Sequence, residues 1–571
     1  PAVGRYQPPL LRFLILGLIM LGGLGVLAGR LVYLQVVEHG RFTELARSEQ
    51  LGKRAIIPRR GAILAVDGHP LAISLQTYDV YFYPRYPGAA DARDRIAAEL
   101  APLLKRPVDE LRTQTLSDGP VLLASGVQPE TAAKISAAEL PGIVLDPKWR
   151  RYYPEGSLAG PVLGFIGRDA QGLSGVEADY DPLLAGKTGW VYYERDASGE
   201  EIPLGFKQVD PPIDGADLVL TLDRYIQRVA EAELDKALKA HRADSGVVIV
   251  MDPKTGALLA VVSRPAADPT KLDLNDPNLQ ALIRNRAFTD LYEPGSTFKI
   301  ITLAAALESG RVDTGETYYC PGYVKVGPWS IWMWNYTALG PANLVDFIRY
   351  SCNVGAVHLA RRTGPADFYR VVRDFGFAER LNPEFRSEVA GQVKLPSDST
   401  WSEVDLATNA FGQALSVTPL ELTTAVAAVA NGGLLMRPYL VKEIRAPDGI
   451  RRFEPTVIRR VISEETARKV TNLLVEAANK GSSPTALIPG YRLAGKTGTA
   501  QVPEGNGYSR TKFIASYIGY VPAEAPRLVI LVKIDNPKDV PWGTTVAAPV
   551  FREVASKALA YYGIPPTEKP R

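Results

Sequence analysis

The chain has 571 residues, more than one hydrophobic core can organise, and at roughly 100–200 residues per domain it divides into three or four units. Hydrophobic residues at 46% and charged residues at 22% exclude a largely disordered or collagen-like chain. Lys and Arg number 65 against 62 Asp and Glu, a net charge of +3 with no dense basic field, which argues against nucleic acid as a partner.

Residues 13–29 carry no charge, and the apolar run resumes after Arg30 as far as Val37. Starting at Leu10, it is long enough to cross a bilayer, which takes about 20 residues, and Arg30 can snorkel to the interface. Arg5 and Arg12 precede it and no acid does, so a cytoplasmic tail over 1–9 and a transmembrane anchor over 10–37 are expected. A cleaved signal peptide is the alternative, since Val26-x-Ala28 resembles a cleavage site, but the apolar run continues past it. Under either reading the rest of the chain lies outside the cytoplasm.

Residues 38–58 read as a polar helix and strand, and Pro58-Arg-Arg-Gly61 opens an extended stretch with a turn at Asp67-Gly68. The pattern is helical from about 93 to 140, and glycine-punctuated strands return over 149–206. Pro211-Pro212 with Asp214-Gly215 marks a boundary. Beyond it, Tyr225–Leu238 is an amphipathic helix, and Val247–Met251 and Ala257–Val262 form a hairpin about Asp252-Pro-Lys-Thr-Gly256. Helices fill much of 297–440. Phe513–Val521 and Leu528–Ile534 are strands, and a last helix runs from about Val546 to Tyr562. Strands at both ends of a helical middle predict an α+β fold, one antiparallel sheet covered by helices.

Two cysteines, Cys320 and Cys352, allow at most one bridge and leave its existence open. Four scattered histidines show no metal-ligand spacing, so no metal and no cofactor are expected, and nucleophilic chemistry would need a base other than histidine.

Three short patterns can carry chemistry. Ser296-Thr-Phe-Lys299 opens a helix, Ile300–Leu307, that is apolar almost all round and therefore buried, ending at Gly310. Ser296 sits where unpaired N–H groups and the helix dipole favour developing negative charge. Lys299 lies one turn away on the same face. A free lysine has a pKa near ~10.4; burial lowers it and makes the amine a usable base. Alone, the pattern equally describes an N-cap serine, and Ser509-Arg-Thr-Lys512 repeats it in what reads as a surface loop. Ser351-Cys352-Asn353 supplies a hydroxyl that can relay a proton and an amide that can hold a substrate carbonyl, though on its own it reads as a turn. Lys496-Thr497-Gly498, followed by Thr499, is the one Lys-Thr-Gly of three that lies in a strand-like stretch downstream of both other patterns. There Lys496 and the hydroxyls of Thr497 and Thr499 would attract a carboxylate, and Gly498 would let a substrate backbone approach the sheet edge.

Gly490-Tyr-Arg-Leu-Ala-Gly-Lys-Thr497 also fits the phosphate-binding loop, but that loop requires a following helix, and Gly498 and Pro503 predict none. Gly23-x-Gly25-x-x-Ala28 mimics a dinucleotide fingerprint inside the expected span.

In order and spacing, Ser296-x-x-Lys299, Ser351-x-Asn353 and Lys496-Thr-Gly498 resemble the penicilloyl serine transferases. Arg60-Gly61, Tyr153-Pro154-x-Gly156, Gly175-Val-Glu177, Asn285-Arg286, Glu293-Pro-Gly295, Thr418-Pro419 and Asn431-Gly-Gly433 extend the resemblance to class B penicillin-binding proteins over nearly the whole chain. Two departures stand out: Ala414 follows Gly412-Gln413 where the family usually has glycine, and Val66-Asp67-Gly68 lacks its usual arginine.

The resemblance implies a single-pass protein of the bacterial cytoplasmic membrane, with a non-catalytic pedestal over 38–213, a helical head within it at about 78–147, a transpeptidase domain over 214–564 of the penicilloyl serine transferase fold, and a tail over 565–571. It implies a peptidoglycan D,D-transpeptidase acting on D-Ala-D-Ala stem peptides and acylated by β-lactams. Ser296 would be the nucleophile, Lys299 its base and Ser351 a proton relay. Asn353, Lys496, Thr497, Gly498 and Thr499 would serve catalysis and binding, and backbone N–H groups of Ser296 and Thr499 would form the oxyanion hole. A polytopic SEDS-type glycosyltransferase would be the partner. Cys320-Pro-Gly-Tyr323 with Trp329 and Trp332 resembles elongation-type members and is preferred; Asn285-Arg-Ala-Phe-Thr-Asp290 and Ser351-Cys-Asn-Val-Gly355 look like division-type members. A β-lactamase or β-lactam sensor sharing the serine site is a rival, opposed by the large module before the catalytic region and by the lack of a Glu-x-x-Leu-Asn stretch. No Glu-Asp-x-x-Phe-x-x-His-x-Gly stretch follows the span, which excludes a second, glycan-polymerising activity.

Overall fold

A computed structural model describes residues 10–43, 51–195, 202, 205–505 and 507–568. The expected tail over 1–9 lies outside the described residues, as does the end of the one over 565–571. The chain forms two compact units, residues 1–58 with 187–213, and residues 59–186 with 214–571.

In the first unit, the helix Leu10–Val32 continues as a π-helical turn, Tyr33–Val37, and none of its side chains is buried. These 28 residues meet the length and composition of a membrane span. The unit also holds a three-stranded antiparallel sheet of Leu51–Ile56, Gly189–Glu194 and Lys207–Asp210. The Lys53 ammonium lies 3.6 Å above the Trp190 ring.

In the second unit the long strand Pro70–Phe82 pairs with Ile143–Tyr152 and with Val121–Val127. Helices Arg93–Leu104, Val108–Thr115 and Pro129–Ala137 surround a small core of Val80, Phe82, Ile96, Leu100, Leu111, Leu123 and Ile135. Val121–Val127 corrects the helical expectation for 93–140: Gly119-Pro120 stops the helix, and strand pairing claims the apolar run behind it. Of the strands expected over 149–206, the end of Ile143–Tyr152 and Gly189–Glu194 form, while three short helices, Gly160–Leu163, Gly175–Asp179 and Asp181–Leu184, replace strands between them. Pro161 and Pro182 sit in first turns, where a missing N–H costs nothing. These helices carry the acids of a buried cluster: Arg60 pairs with Glu177 and Asp181 at 2.7 Å each, and Arg151 reaches Glu177 at 2.6 Å. Such pairing offsets the cost of burying the charges. The Arg60-Gly61 and Gly175-Val-Glu177 stretches therefore meet in space.

The main sheet is five-stranded and antiparallel, in the order Leu258–Arg264, Ser245–Met251, Leu528–Asp535, Gly507–Val521, Ala494–Glu504. Strand alternation divides its side chains between two cores. Val248, Val250, Ile530 and Val532 pack with Ile226 and Phe551, from the helices Arg224–His241 and Ala548–Tyr561. Val247, Ile249, Val529 and Leu531 face the helical core that holds Ile300, Leu303 and Val426. The expected last helix is split at Ala547, just before Pro549, into Gly543–Val546 and Ala548–Tyr561. The strand expected to begin at Phe513 begins at Gly507, so Ser509-Arg-Thr-Lys512 lies in a strand; Ser509 is buried, and Lys512 pairs with Glu504 at 2.8 Å.

Candidate active site

The site lies between one wall of helices and one edge strand. A 3-10 turn, Gly295–Phe298, leads into the helix Lys299–Glu308, whose residues are buried from Lys299 through Leu307. Gly295 has φ 54°, and its N–H donates to Gly412 O at 2.9 Å. A side chain on Gly412 would collide with the Gly295 backbone, so this close approach requires glycine. The Glu293 carboxylate accepts from Ala414 N–H at 3.0 Å and from the Tyr508 hydroxyl at 3.1 Å. It thereby ties the turn before Ser296 to the 412–414 loop and to the hairpin beyond the edge strand. Burial raises its pKa.

The turn between the helices Leu344–Arg349 and Asn353–Thr363 supplies the second group. Asn343 and Asp346 form a capping box at the first helix, which fixes where the turn falls. Ser351 has φ 53°, a left-handed conformation costing about 1–2 kcal/mol for a non-glycine residue. That conformation accompanies a carbonyl only 2.6 Å from Lys299 Nζ.

Four oxygens surround that nitrogen: Ser351 O at 2.6 Å, Asn353 Oδ1 at 2.8 Å, Ser296 Oγ at 3.1 Å and Ser351 Oγ at 3.1 Å. Ser351 Oγ lies 2.8 Å from Ser296 Oγ. The carbonyl and the amide oxygen only accept, so a neutral amine directs its two hydrogens to them and its lone pair to the hydroxyls. Lys299 is fully buried, and its pKa is lowered well below the usual lysine value, first by burial and then by the nearby Lys496 charge. Asn353 Nδ2 donates to Trp332 O at 3.0 Å, so its amide joins Lys299 to a neighbouring hairpin.

The third group lies on the edge strand. Lys496 is buried, bonds among the described residues only to its neighbour Thr497 (O at 3.0 Å, Oγ1 at 3.3 Å), and is brought down to about 7 by burial. Thr499 Oγ1 accepts from Gly543 N–H at 3.2 Å and keeps its own hydrogen to donate. A Cβ on Gly498 would strike Ser516 Oγ and lie 3.0 Å from Thr297 Cγ2 and 3.2 Å from Pro294 O. The nearest group at Gly498 is thus Ser516 on the paired strand, and the turn that carries Ser296 supplies the next two. Lys496 and Thr497 continue in an extended strand through Glu504, so the helix a phosphate loop needs is missing.

Cys320 and Cys352 are free, fully buried thiols with sulfurs 3.4 Å apart. Cys352 Sγ accepts from Gly355 N–H and caps the helix Asn353–Thr363. Burial raises its pKa to about 11. No cluster of three or more potential metal ligands occurs among the described residues.

Sequence reasoning gave no role to Glu293, to the Gly412 carbonyl or to the Trp332 carbonyl. Glu293-Pro-Gly295 and Gly412 were visible as motif residues, but their contacts join positions over a hundred residues apart, and the Trp332 contact is through backbone.

Two family models match the chain: the penicillin binding protein transpeptidase domain over residues 246–556, and the penicillin-binding protein dimerisation domain over 55–220. Stage V sporulation protein D of Bacillus subtilis is 35% identical over 546 residues, covering 94% of this chain and 83% of its own length. The probable peptidoglycan D,D-transpeptidase PenA of Neisseria gonorrhoeae is 31% identical over 552 residues, covering 95% and 91%. Penicillin binding protein 3 of Mycobacterium tuberculosis, solved in complex with aztreonam, superposes with a TM-score of 0.69 at 26% identity, covering 91% of this chain and 100% of that one.

Proposed function

The chain belongs to the class B penicillin-binding proteins and is a serine-type peptidoglycan D,D-transpeptidase, and from that premise we propose that Ser296 is the nucleophile and Lys299 its general base. The observation that carries this reading is the Lys299 nitrogen, buried and within 3.1 Å of both Ser296 Oγ and Ser351 Oγ. Ser296 Oγ attacks the carbonyl carbon of the penultimate D-alanine of a stem peptide, and its proton passes to the Lys299 amine. Backbone N–H groups of Ser296 and Thr499 hold the oxyanion. Collapse breaks the peptide bond, and the departing D-alanine amine takes the proton through Ser351, which leaves Lys299 neutral. An amine of a neighbouring stem then attacks the acyl-enzyme ester; it loses a proton as Ser296 regains one, giving a 4,3-type crosslink where that amine comes from position three. Asn353 positions Lys299, and Lys496, Thr497 and Thr499, with Gly498 between them, hold the substrate carboxylate. β-Lactams acylate the same serine and stay bound.

The helix Leu10–Val37 anchors the protein in the bacterial cytoplasmic membrane by a single pass, with the transpeptidase domain (214–564) outside and a pedestal (38–213) that meets a polytopic SEDS-type glycan polymerase. Cys320-Pro-Gly-Tyr323, Trp329 and Trp332 favour a role in elongation. Asn285–Asp290 and Ser351–Gly355 favour the second reading, septal synthesis. Co-purification with a polymerase, and localisation of that partner to the lateral wall or the septum, separates the two.

The test of the chemistry is labelled penicillin. Ser296→Ala abolishes covalent labelling while thermal unfolding is unchanged, and the wild-type adduct is long-lived. Labelling that persists in Ser296→Ala removes that serine from the mechanism; rapid turnover of the wild-type adduct makes the protein a β-lactamase.

A further inference from the structure

Strands Tyr323–Val326 and Trp329–Trp332 form a two-stranded hairpin over the helical wall of the site. Its register places Val324 opposite Ile331 and Val326 opposite Trp329 on one face, and Tyr323 opposite Trp332 and Lys325 opposite Ser330 on the other. Val324 and Ile331 pack on the core, so the second face turns outward. On it, the Tyr323 and Trp332 rings lie 4.8 Å apart, and Trp332 meets Tyr336 at 5.8 Å. Despite this preassembly the three rings stay 37%, 46% and 75% exposed. No protein group bonds the Trp332 indole N–H or the Tyr323 and Tyr336 hydroxyls, and the Lys325 ammonium has no ion-pair partner, among the described residues.

Apolar ring faces beside unused donors and one cation fit a carbohydrate better than a lipid or a protein. A lipid surface calls for several Lys or Arg beside the apolar groups, and this face of the hairpin carries one cation. Three rings of about 150–250 Å² each, exposed to these fractions, present on the order of 300 Å². A stable protein interface needs about 800 Å² per partner. Pyranose rings offer apolar C–H faces to stack on aromatics, hydroxyls and acetamido groups to accept hydrogen bonds, and, where a lactyl ether is present, a carboxylate for Lys325.

The shelf is continuous with the active site. The Trp332 carbonyl holds Asn353 at 3.0 Å, Asn353 holds Lys299 at 2.8 Å, and Lys299 touches Ser296 at 3.1 Å. An extended peptide, at roughly 3.3–3.6 Å per residue, spans that interval in a few residues. Resting on the transpeptidase reading above, we propose that Tyr323, Trp332 and Tyr336 form a saccharide shelf that binds the glycan strand from which a reacting stem peptide hangs. The protein then selects stems still attached to sugar over free peptide.

The test uses the full chain and the double variant Tyr323→Ala/Tyr336→Ala, which leaves the Trp332 backbone and every group around Ser296 in place. Penicillin acylation is expected to be unchanged, as is turnover of a free stem peptide. With strand-borne stems, kcat/KM is expected to fall about tenfold, mainly through KM. A loss in acyl-enzyme formation assigns the shelf to the donor strand, and a loss only in the ratio of crosslink to hydrolysis assigns it to the acceptor strand. A peptide-free GlcNAc–MurNAc oligosaccharide should quench tryptophan fluorescence of Ser296→Ala protein, and this quenching should vanish when the two tyrosines are also replaced. Equal rates for wild type and variant on strand-borne stems overturn the proposal. An equal loss on strand-borne and free stems overturns it as well, as does a variant whose only defect is loss of self-association. Failure of penicillin to label wild-type Ser296 is a different result, which sinks the enzymatic reading itself.

Discussion

The two walls of the cleft each bury a lysine and treat it differently. On the helical wall, Lys299 has four oxygen neighbours between 2.6 and 3.1 Å, two of them pure acceptors. On the strand wall, Lys496 bonds only to Thr497 among the described residues and keeps donor capacity for a ligand. Burial lowers the pKa of both, Lys299 well below its usual value and Lys496 to about 7. Desolvation therefore does not distinguish a base from a carboxylate receptor. The difference comes from surrounding groups: a neutral amine with its hydrogens committed has its lone pair left for a proton, whereas a cation with few partners seeks an anion.

The largest expected effect breaks the helical wall. Lys299→Met keeps the length and removes the amine, and should slow penicillin acylation by about 10²–10⁴-fold, the span of general-base catalysis. Rate constants for a fluorescent penicillin check this; a loss below tenfold would move the base elsewhere. On the strand wall, Lys496→Gln removes one charge-assisted contact, worth about 1.5–3 kcal/mol, or about 10–150-fold in acylation. The pH profile sharpens the contrast. In the wild type the rate should rise as Lys299 loses its proton and fall above about 7 as Lys496 loses its own. The Lys496 cation favours the neutral form of Lys299, so its removal raises the Lys299 pKa. Lys496→Gln should therefore shift the rising limb to higher pH and lose the falling limb. A profile that keeps its shape would mean that the two lysines are uncoupled.

The walls also differ in how far the sequence foretold them. An apolar helix behind Ser-x-x-Lys reads as buried because its periodicity has no polar face, and Lys496 stood out among three Lys-Thr-Gly copies by its strand-like setting. The antiparallel main sheet followed from strands at both ends of a helical middle. Val121–Val127 was missed because its apolar run sits between helices, and the three helices within 160–184 because glycine and proline punctuate short helices as readily as loops. The left-handed Ser351 and the bond from Ala414 to Glu293 depend on partners distant in sequence, which local pattern cannot supply. Composition likewise left the cysteines open; the structure holds both as buried thiols.

Gly498 marks where the two walls touch. Gly498→Ala places a methyl group against Ser516 and beside Thr297 and Pro294. Overpacking of this kind costs about 1–3 kcal/mol. Part of that should appear as a lower melting temperature and part as slower acylation, because relief comes by moving the edge strand away from the Ser296 turn. A melting temperature that falls with no change in acylation rate would show that the walls adjust independently.

The smallest effect lies under the helical wall. Ala414 has φ 59°, a conformation in which a Cβ is strained, at the position where the resemblance expects glycine. Its N–H is held by Glu293 at 3.0 Å, and the same loop presents the Gly412 carbonyl to Gly295, so the strain is borne by the support of the nucleophile's turn. Ala414→Gly relieves about 1–2 kcal/mol of backbone strain. It also gives the unfolded chain about 0.4–1 kcal/mol of extra conformational freedom. The net gain should be about 0.5–1 kcal/mol, a rise of roughly 1–3 °C in thermal unfolding. Acylation should be unchanged, because Glu293 still accepts the same backbone N–H. A rise in stability accompanied by slower acylation would instead mean that the helical wall depends on that strain to hold Ser296 against Lys299, and that it is less firmly set than its hydrogen bonds suggest.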